Sequence, residues 1–172
     1  MKRFWTPWRL EYLKAPKGAE TAKCIFCVKI AAAPSNDREN LVLRRGKCAF
    51  LLMNLYPYSN GHLMVAPYQH TGELELLDAA TLLEMLQLVN QGIRALRQTS
   101  NPHGFNVGAN LGRAAGAGVE DHVHFHIVPR WSGDSNFMPV LADTRLIPEL
   151  LPQTFDSLQT ALQKVSDEYR AG

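Results

Sequence analysis

Cysteine is scarce in this chain: Cys24, Cys27 and Cys48 are the only three among 172 residues. So small and odd a number argues against a disulfide scaffold and points to a reducing compartment, where thiols stay free or bind metal. Long hydrophobic runs are also missing, and nothing approaches the roughly 18–20 apolar residues that a membrane-spanning helix needs. The opening Met1-Lys2-Arg3 and "FWTPWRLEYLK" interleave charge and proline with aromatics, which is neither a signal-peptide core nor a transit peptide. These absences set a cytoplasmic expectation. Excess charge is lacking too: 18 basic side chains stand against 16 acidic, a net charge of +2. No basic stripe carries interleaved aromatics, which argues against nucleic acid as a partner. No period of 20–50 residues repeats.

What the chain does have suits one folded domain over residues 1–172, since 46% of it is hydrophobic. The break at "AAAPSND", 31–37, sets off an N-terminal arm (1–33), and residues 141–172 form a helical tail. "NLVLRRGKCAFLLM", 40–53, reads as two strands around a turn at Arg45-Gly46, with Cys48 in the second strand. "GHLMVAP", 61–67, is a third, "GFNVGAN", 104–110, a fourth, and "HVHFHIV", 122–128, a fifth. Leucines at helical spacing over 71–98 predict one long amphipathic helix with a start signal at Thr71 and Glu73. A second helix runs from Pro152 to Tyr169. Strands joined by turns, with one long helix inserted, imply a mainly antiparallel α+β domain.

Histidine is concentrated: three of six fall in "EDHVHFHIVP", at 122, 124 and 126. On a strand, alternate side chains share a face, so His122, His124 and His126 project together while Val123, Phe125 and Ile127 face the core. Two chemistries suit such a row. Neutral imidazoles bind metal, and an imidazole oriented by its neighbours attacks phosphorus well, being largely unprotonated near neutral pH. The preceding "GAGVED" supplies Gly116 and Gly118, where backbone donors can approach an oxyanion. "CIFC", 24–27, has the spacing of a zinc half-site or a redox dithiol; a dithiol wants a βαβ context that this chain lacks.

The His-φ-His-φ-His-φ-φ pattern at 122–128, with φ apolar, resembles the histidine-triad (HIT) family of nucleotidyl hydrolases and transferases. "NLYPYSNGHLMVAPYQH" (54–70), "GFNVGANLGRAAGAG" (104–118), "VPRWSGDSNFMPV" (128–140) and "FWTPWRLEYL" resemble its branch of diadenosine tetraphosphate phosphorylases and hydrolases, over roughly Phe4 to Pro148. The resemblance implies a HIT-like fold, a five-stranded sheet with one long helix, paired in a homodimer to which helix 71–98 and the "RWSGDSNFMPV" segment contribute. It implies that dinucleoside polyphosphates are cleaved through a covalent nucleotidyl-histidine, with water or phosphate as acceptor. His124 would be the nucleophile and His126 would contact a phosphate oxygen. Asn54 would meet the ribose, Asn110 the phosphates or leaving group, and Gly116, Ala117 and Gly118 the phosphate through the backbone; His62 would support the triad. Cys24 and Cys27 would join His70 and His122 in a structural zinc site, with no organic cofactor. Where many relatives carry Gln-Ser or Gln-Thr, this chain has Ala117-Gly118, so a hydroxyl is missing and the loop is roomier. Arg113 in that loop reads as a distal-phosphate contact or a solvated arginine. The competing readings are a nucleotide-binding module with little turnover and a redox or metal-handling protein.

Overall fold

The computed structural model describes residues 24–134 and 149–171. The opening segment "FWTPWRLEYL" and residues 135–148, including most of "RWSGDSNFMPV", lie outside the described residues. The elements are α1 (Ile25–Ala31), β1 (Val42–Arg45), β2 (Ala49–Met53), β3 (Leu63–Pro67), α2 (Ala79–Ser100), β4 (Gly104–Ala109), β5 (Phe125–Arg130) and α3 (Leu151–Ala171). The strands form one five-stranded antiparallel sheet in the order β1-β2-β3-β5-β4. This is an α+β fold of the expected kind.

Every residue of β2 and β3 is buried, which is why their sequences read as continuous apolar runs rather than alternating ones. Alternate residues serve two cores. Leu51, Leu63, Val65 and Ile127 face α2 and α3, meeting Met85, Leu88, Leu96, Leu158 and Leu162. Phe50, Leu52, Met64 and Ala66 face the other way and meet Phe26 of α1. Gly92 lets α2 lie close on the sheet: a Cβ there would stand 3.0 Å from Ile127 and 3.2 Å from Leu63. Strand β5 enters last yet lies between β3 and β4, so it is an interior strand, with His126 opposite Met64 and Gly108.

Three expectations need correction. The long helix begins at Ala79, not near Thr71, and its N-cap is Asp78, whose carboxylate accepts from the Thr81 N–H at 2.6 Å. Thr71 Oγ1 accepts from the Glu73 N–H in a local turn, and the Thr71 carbonyl is taken by Val123 N–H at 2.7 Å. That tertiary bond overrides the helical pattern. For the same reason the β5 ladder starts at Phe125, leaving His122 and His124 just ahead of it. Cys48 lies in the β1–β2 turn rather than in a strand, where Glu84 gathers its N–H with those of Lys47 and Ala49. The C-terminal helix, expected over 152–169, spans Leu151–Ala171.

Candidate active site

Two loops, one carrying His70 and the other His122, are clipped together before any ligand arrives. Val123 N–H reaches the Thr71 carbonyl, and Gly72 passes so close to Glu120 that a Cβ would fall 2.3 Å from its carbonyl oxygen. Only glycine fits there. The clip brings His70 against His122, with their Nδ1 atoms 3.2 Å apart. From α1, Cys24 Sγ lies 3.3 Å from His122 Nδ1, while Cys27 Sγ lies 3.4 Å from His70 Nδ1 and 3.6 Å from His122 Nδ1. The four ligand atoms all fall within 4.8 Å of one another. Ligands placed about 2.0–2.3 Å from a tetrahedral zinc stand roughly 3.3–3.8 Å apart, so the residues fit a closed Cys₂His₂ site. His122 Nε2 donates to the Pro67 carbonyl at 2.9 Å, which fixes the tautomer and leaves Nδ1 bare toward the cluster. Burial, and then Cys24, raise the Cys27 thiol; a divalent cation held by these residues would reverse that by favouring the thiolate.

His124 and His126 are held in opposite tautomers. His124 Nδ1 donates to the His122 carbonyl at 2.8 Å, so the neutral ring carries its lone pair on Nε2. Burial pushes its pKa down despite that backbone bond, which keeps the lone pair available. The neighbouring arrangement starts at Asn54, whose Oδ1 accepts from the Tyr56 N–H at 2.9 Å. Its Nδ2 is thereby turned to His62 Nδ1 at 3.2 Å, where the Tyr58 N–H also arrives at 3.1 Å. A nitrogen receiving N–H donors is an acceptor, so His62 carries its proton on Nε2 and donates to His126 Nδ1 at 3.0 Å. His126 is then a donor at its own Nε2. One imidazole offers a lone pair and the next offers a proton, their ring centroids 4.7 Å apart.

His62 is 1% exposed, so it lies behind His126 rather than facing a ligand. Burial, followed by the His126 and His124 imidazoles, lowers its pKa to about 3; burial and His124 lower that of His126 to about 4. As pH falls below the ordinary 6.5, the unfolded chain takes up a proton that folded His62 refuses. Stability is therefore intact above pH 6.5 and drains as pH falls toward 3, by about 1.4 kcal/mol per pH unit for this group. Urea unfolding at pH 7 and pH 5 should show the wild type losing about 2 kcal/mol more than His62→Gln. Equal losses would contradict the burial of a neutral His62.

The loop after β4 carries the remaining expected residues. Asn110 is half-buried at the strand's end, and Gly112 and Gly116 take φ of 76° and 85°, which favour glycine. The N–H groups of Gly116 and Ala117 turn inward, to Arg113 O at 3.0 Å and Gly112 O at 3.4 Å, while Gly118 stands exposed next in the chain. Arg113 is 89% exposed and paired with Glu120 at 2.6 Å, the solvated arrangement. An open hollow of about 620 Å³ lies between this loop and the His70 loop. Glu73, Glu75, Glu120 and Asp121 border it, the wrong charge for a polyphosphate wall. Sequence reasoning missed the Pro67 carbonyl, the direction of the His62 relay and Phe26; an apolar residue between two metal-spaced cysteines was the available sign of the last.

Comparison with known proteins gives the chain's relatives. The HIT domain family model matches residues 35–133. An AP-4-A phosphorylase of Mycobacterium tuberculosis (strain CDC 1551 / Oshkosh) is 42% identical over 163 residues, covering 93% of this chain and 84% of that protein. An adenosine 5'-monophosphoramidase of Schizosaccharomyces pombe is 34% identical over 107 residues, covering 62% and 74%. Among solved structures, a Zn-bound histidine triad family protein from Mycobacterium smegmatis superposes with a TM-score of 0.67 at 25% identity, covering 85% of this chain and 97% of that one.

Proposed function

The chain belongs to the HIT family, and from that premise we propose that it cleaves dinucleoside polyphosphates of the diadenosine tetraphosphate kind. The observation that carries the reading is the tautomer pair: a bare Nε2 on His124 beside a protonated Nε2 on His126. His124 Nε2 attacks an α-phosphorus, the bond to the bridging oxygen breaks, and the departing nucleoside polyphosphate leaves a nucleotidyl-His124. His126 donates to an oxygen at the reacting phosphate, held to that task by His62. Asn54, half-buried at the start of the relay, faces the ribose, and Asn110 with the backbone from Gly118 onward faces the phosphates. A second acceptor oxygen then takes the nucleotidyl group from His124. Inorganic phosphate is that acceptor in our reading, supported by the phosphorylase relative and by the roomier Ala117-Gly118 loop.

The metal in this proposal is zinc, held by Cys24, Cys27, His70 and His122. The fit of the ligand spacing and the zinc-bound structural relative support it. With four protein ligands the site is structural. The proposal includes a homodimer: Leu83 and Leu86 of α2 and Val107 of the edge strand β4 are each about half exposed. It also includes a cytoplasmic setting, supported by three free cysteines.

Product analysis tests the activity. With diadenosine tetraphosphate, ATP and ADP should appear in the presence of phosphate. ATP and AMP without phosphate would instead make the enzyme an asymmetric hydrolase. No turnover in either condition would leave a nucleotide-binding module.

A further inference from the structure

Helix α1 has little to hold it by itself: seven residues, no side-chain cap at its start, and Phe26 as its one buried side chain. Ile25 and Val28 are about half exposed. Its far end is anchored by Arg45, which donates to the carbonyls of Ile30 and Ala32 at 2.9 Å each, and by Lys29, which donates to Asn40 O. Among the described residues, its near end is anchored through Cys24, Cys27 and Phe26. Cys24 and Cys27 are one helical turn apart and reach His122 and His70. Phe26, between them, is 0% exposed and presents its ring to the histidine row, 5.0 Å from His122 and 4.7 Å from His124 between centroids. Phe50 backs it edge-on at 6.4 Å.

One turn of helix therefore grips the metal cluster with sulfur and the middle histidine with a phenyl ring. Among the described residues, His124 has one side-chain hydrogen bond, to the carbonyl of a cluster residue. Phe26 and the His126 ring, tilted at 43° and 71° to the imidazole, each pack 4.7 Å from it between centroids and restrict its swing about that bond. Both constraints border the cluster: the carbonyl belongs to His122, and Phe26, seated against Phe50, Leu52, Met64 and Ala66, lies on the helical turn whose two cysteines reach His122 and His70.

We propose that Phe26 is a positioning residue that couples the state of the Cys24/Cys27/His70/His122 cluster to the aim of His124, holding that imidazole in one rotamer and one tautomer while the cluster is filled. The inference rests on His124 being the attacking group and adds what aims it. Emptying the cluster releases the α1 turn, and His124 then samples orientations in which Nε2 is turned away. Removing the Phe26 ring has the same effect with the cluster intact.

The test uses the full chain with histidines labelled with ¹⁵N, zinc-loaded, at one fixed pH. Wild type should show one set of His124 resonances with Nδ1 protonated. Phe26→Leu, retaining one zinc per chain, should show that set broadened or split between tautomers, with kcat lowered about tenfold and KM within about twofold. Zinc removal from the wild type should reproduce the spectral change. If Phe26→Leu does not hold zinc, Phe26→Met serves in its place. A single unchanged His124 signal and wild-type kcat in a zinc-loaded variant would overturn the coupling while leaving the activity standing. The expected spectral response in a chain that cleaves nothing would overturn the proposed activity and leave the coupling standing.

Discussion

Replacing His124 by alanine should lower turnover of diadenosine tetraphosphate by at least about 10⁴-fold, because in the proposed mechanism the substitution removes the atom that bonds to phosphorus and nothing nearby replaces it. His126 does not substitute, since His62 makes its Nδ1 an acceptor and so keeps a proton on the outward nitrogen. His122 does not either, because Pro67 holds its Nε2 and Nδ1 points into the metal cluster. The loss is chemical rather than structural. The ring is 5% exposed, and its removal leaves a cavity beside Phe26, a cost of about 2–5 kcal/mol. For a chain of this size that lowers the melting temperature by roughly 4–20 °C, which leaves kcat to be read below the variant's own melting temperature. Single-turnover kinetics and a thermal scan on the same preparation separate the two effects. Residual turnover within about tenfold of wild type would place the nucleophile elsewhere.

The double substitution of Cys24→Ser and Cys27→Ser has the largest expected effect on stability. It removes both sulfur ligands, and two imidazoles at 3.2 Å do not retain a structural metal on their own. Metal content falls from one zinc per chain to none, and the melting temperature falls by more than about 10 °C, the equivalent of several kcal/mol. The core between the sheet and helices α2 and α3 contains none of these residues, so the chain still folds. A strong chelator should lower the melting temperature of the wild type in the same way and leave the double variant unmoved. One zinc per chain in the double variant would contradict the assignment.

Much of this was legible in the residues themselves, for identifiable reasons. The row of histidines at every second position kept its shared face even though the β5 ladder begins only at Phe125, because side-chain alternation depends on extended backbone and not on ladder bonds. Strands β2 and β3 stood out as apolar runs because both their faces are covered. The spacing of Cys24 and Cys27 and the resemblance together placed all four members of the cluster. What escaped the sequence was set by contacts between distant segments. The start of α2 was misplaced because a carbonyl of residue 71 is claimed by residue 123, a partner that no local pattern displays. His62 does support the triad, from behind His126, but which way that hydrogen bond runs is not written in the sequence. The direction of that relay comes from two backbone N–H groups, of Tyr56 and Tyr58, whose positions depend on the turn geometry. Phe26 carried no expectation from the sequence, because its neighbours His122 and His124 lie nearly a hundred positions away.

The central claim is a covalent bond between His124 and a nucleotide. The direct measurement is rapid mixing of the protein with diadenosine tetraphosphate in phosphate-free buffer, an alkaline quench that preserves phosphoramidates, and intact-mass and peptide mass spectrometry. The account predicts one adenylyl group on the peptide containing residues 122–126, localised to His124, absent in His124→Ala, and discharged as ADP when phosphate is added before the quench. Full turnover with no adenylyl-protein at any quench time, or an adenylyl group on another residue, would contradict it.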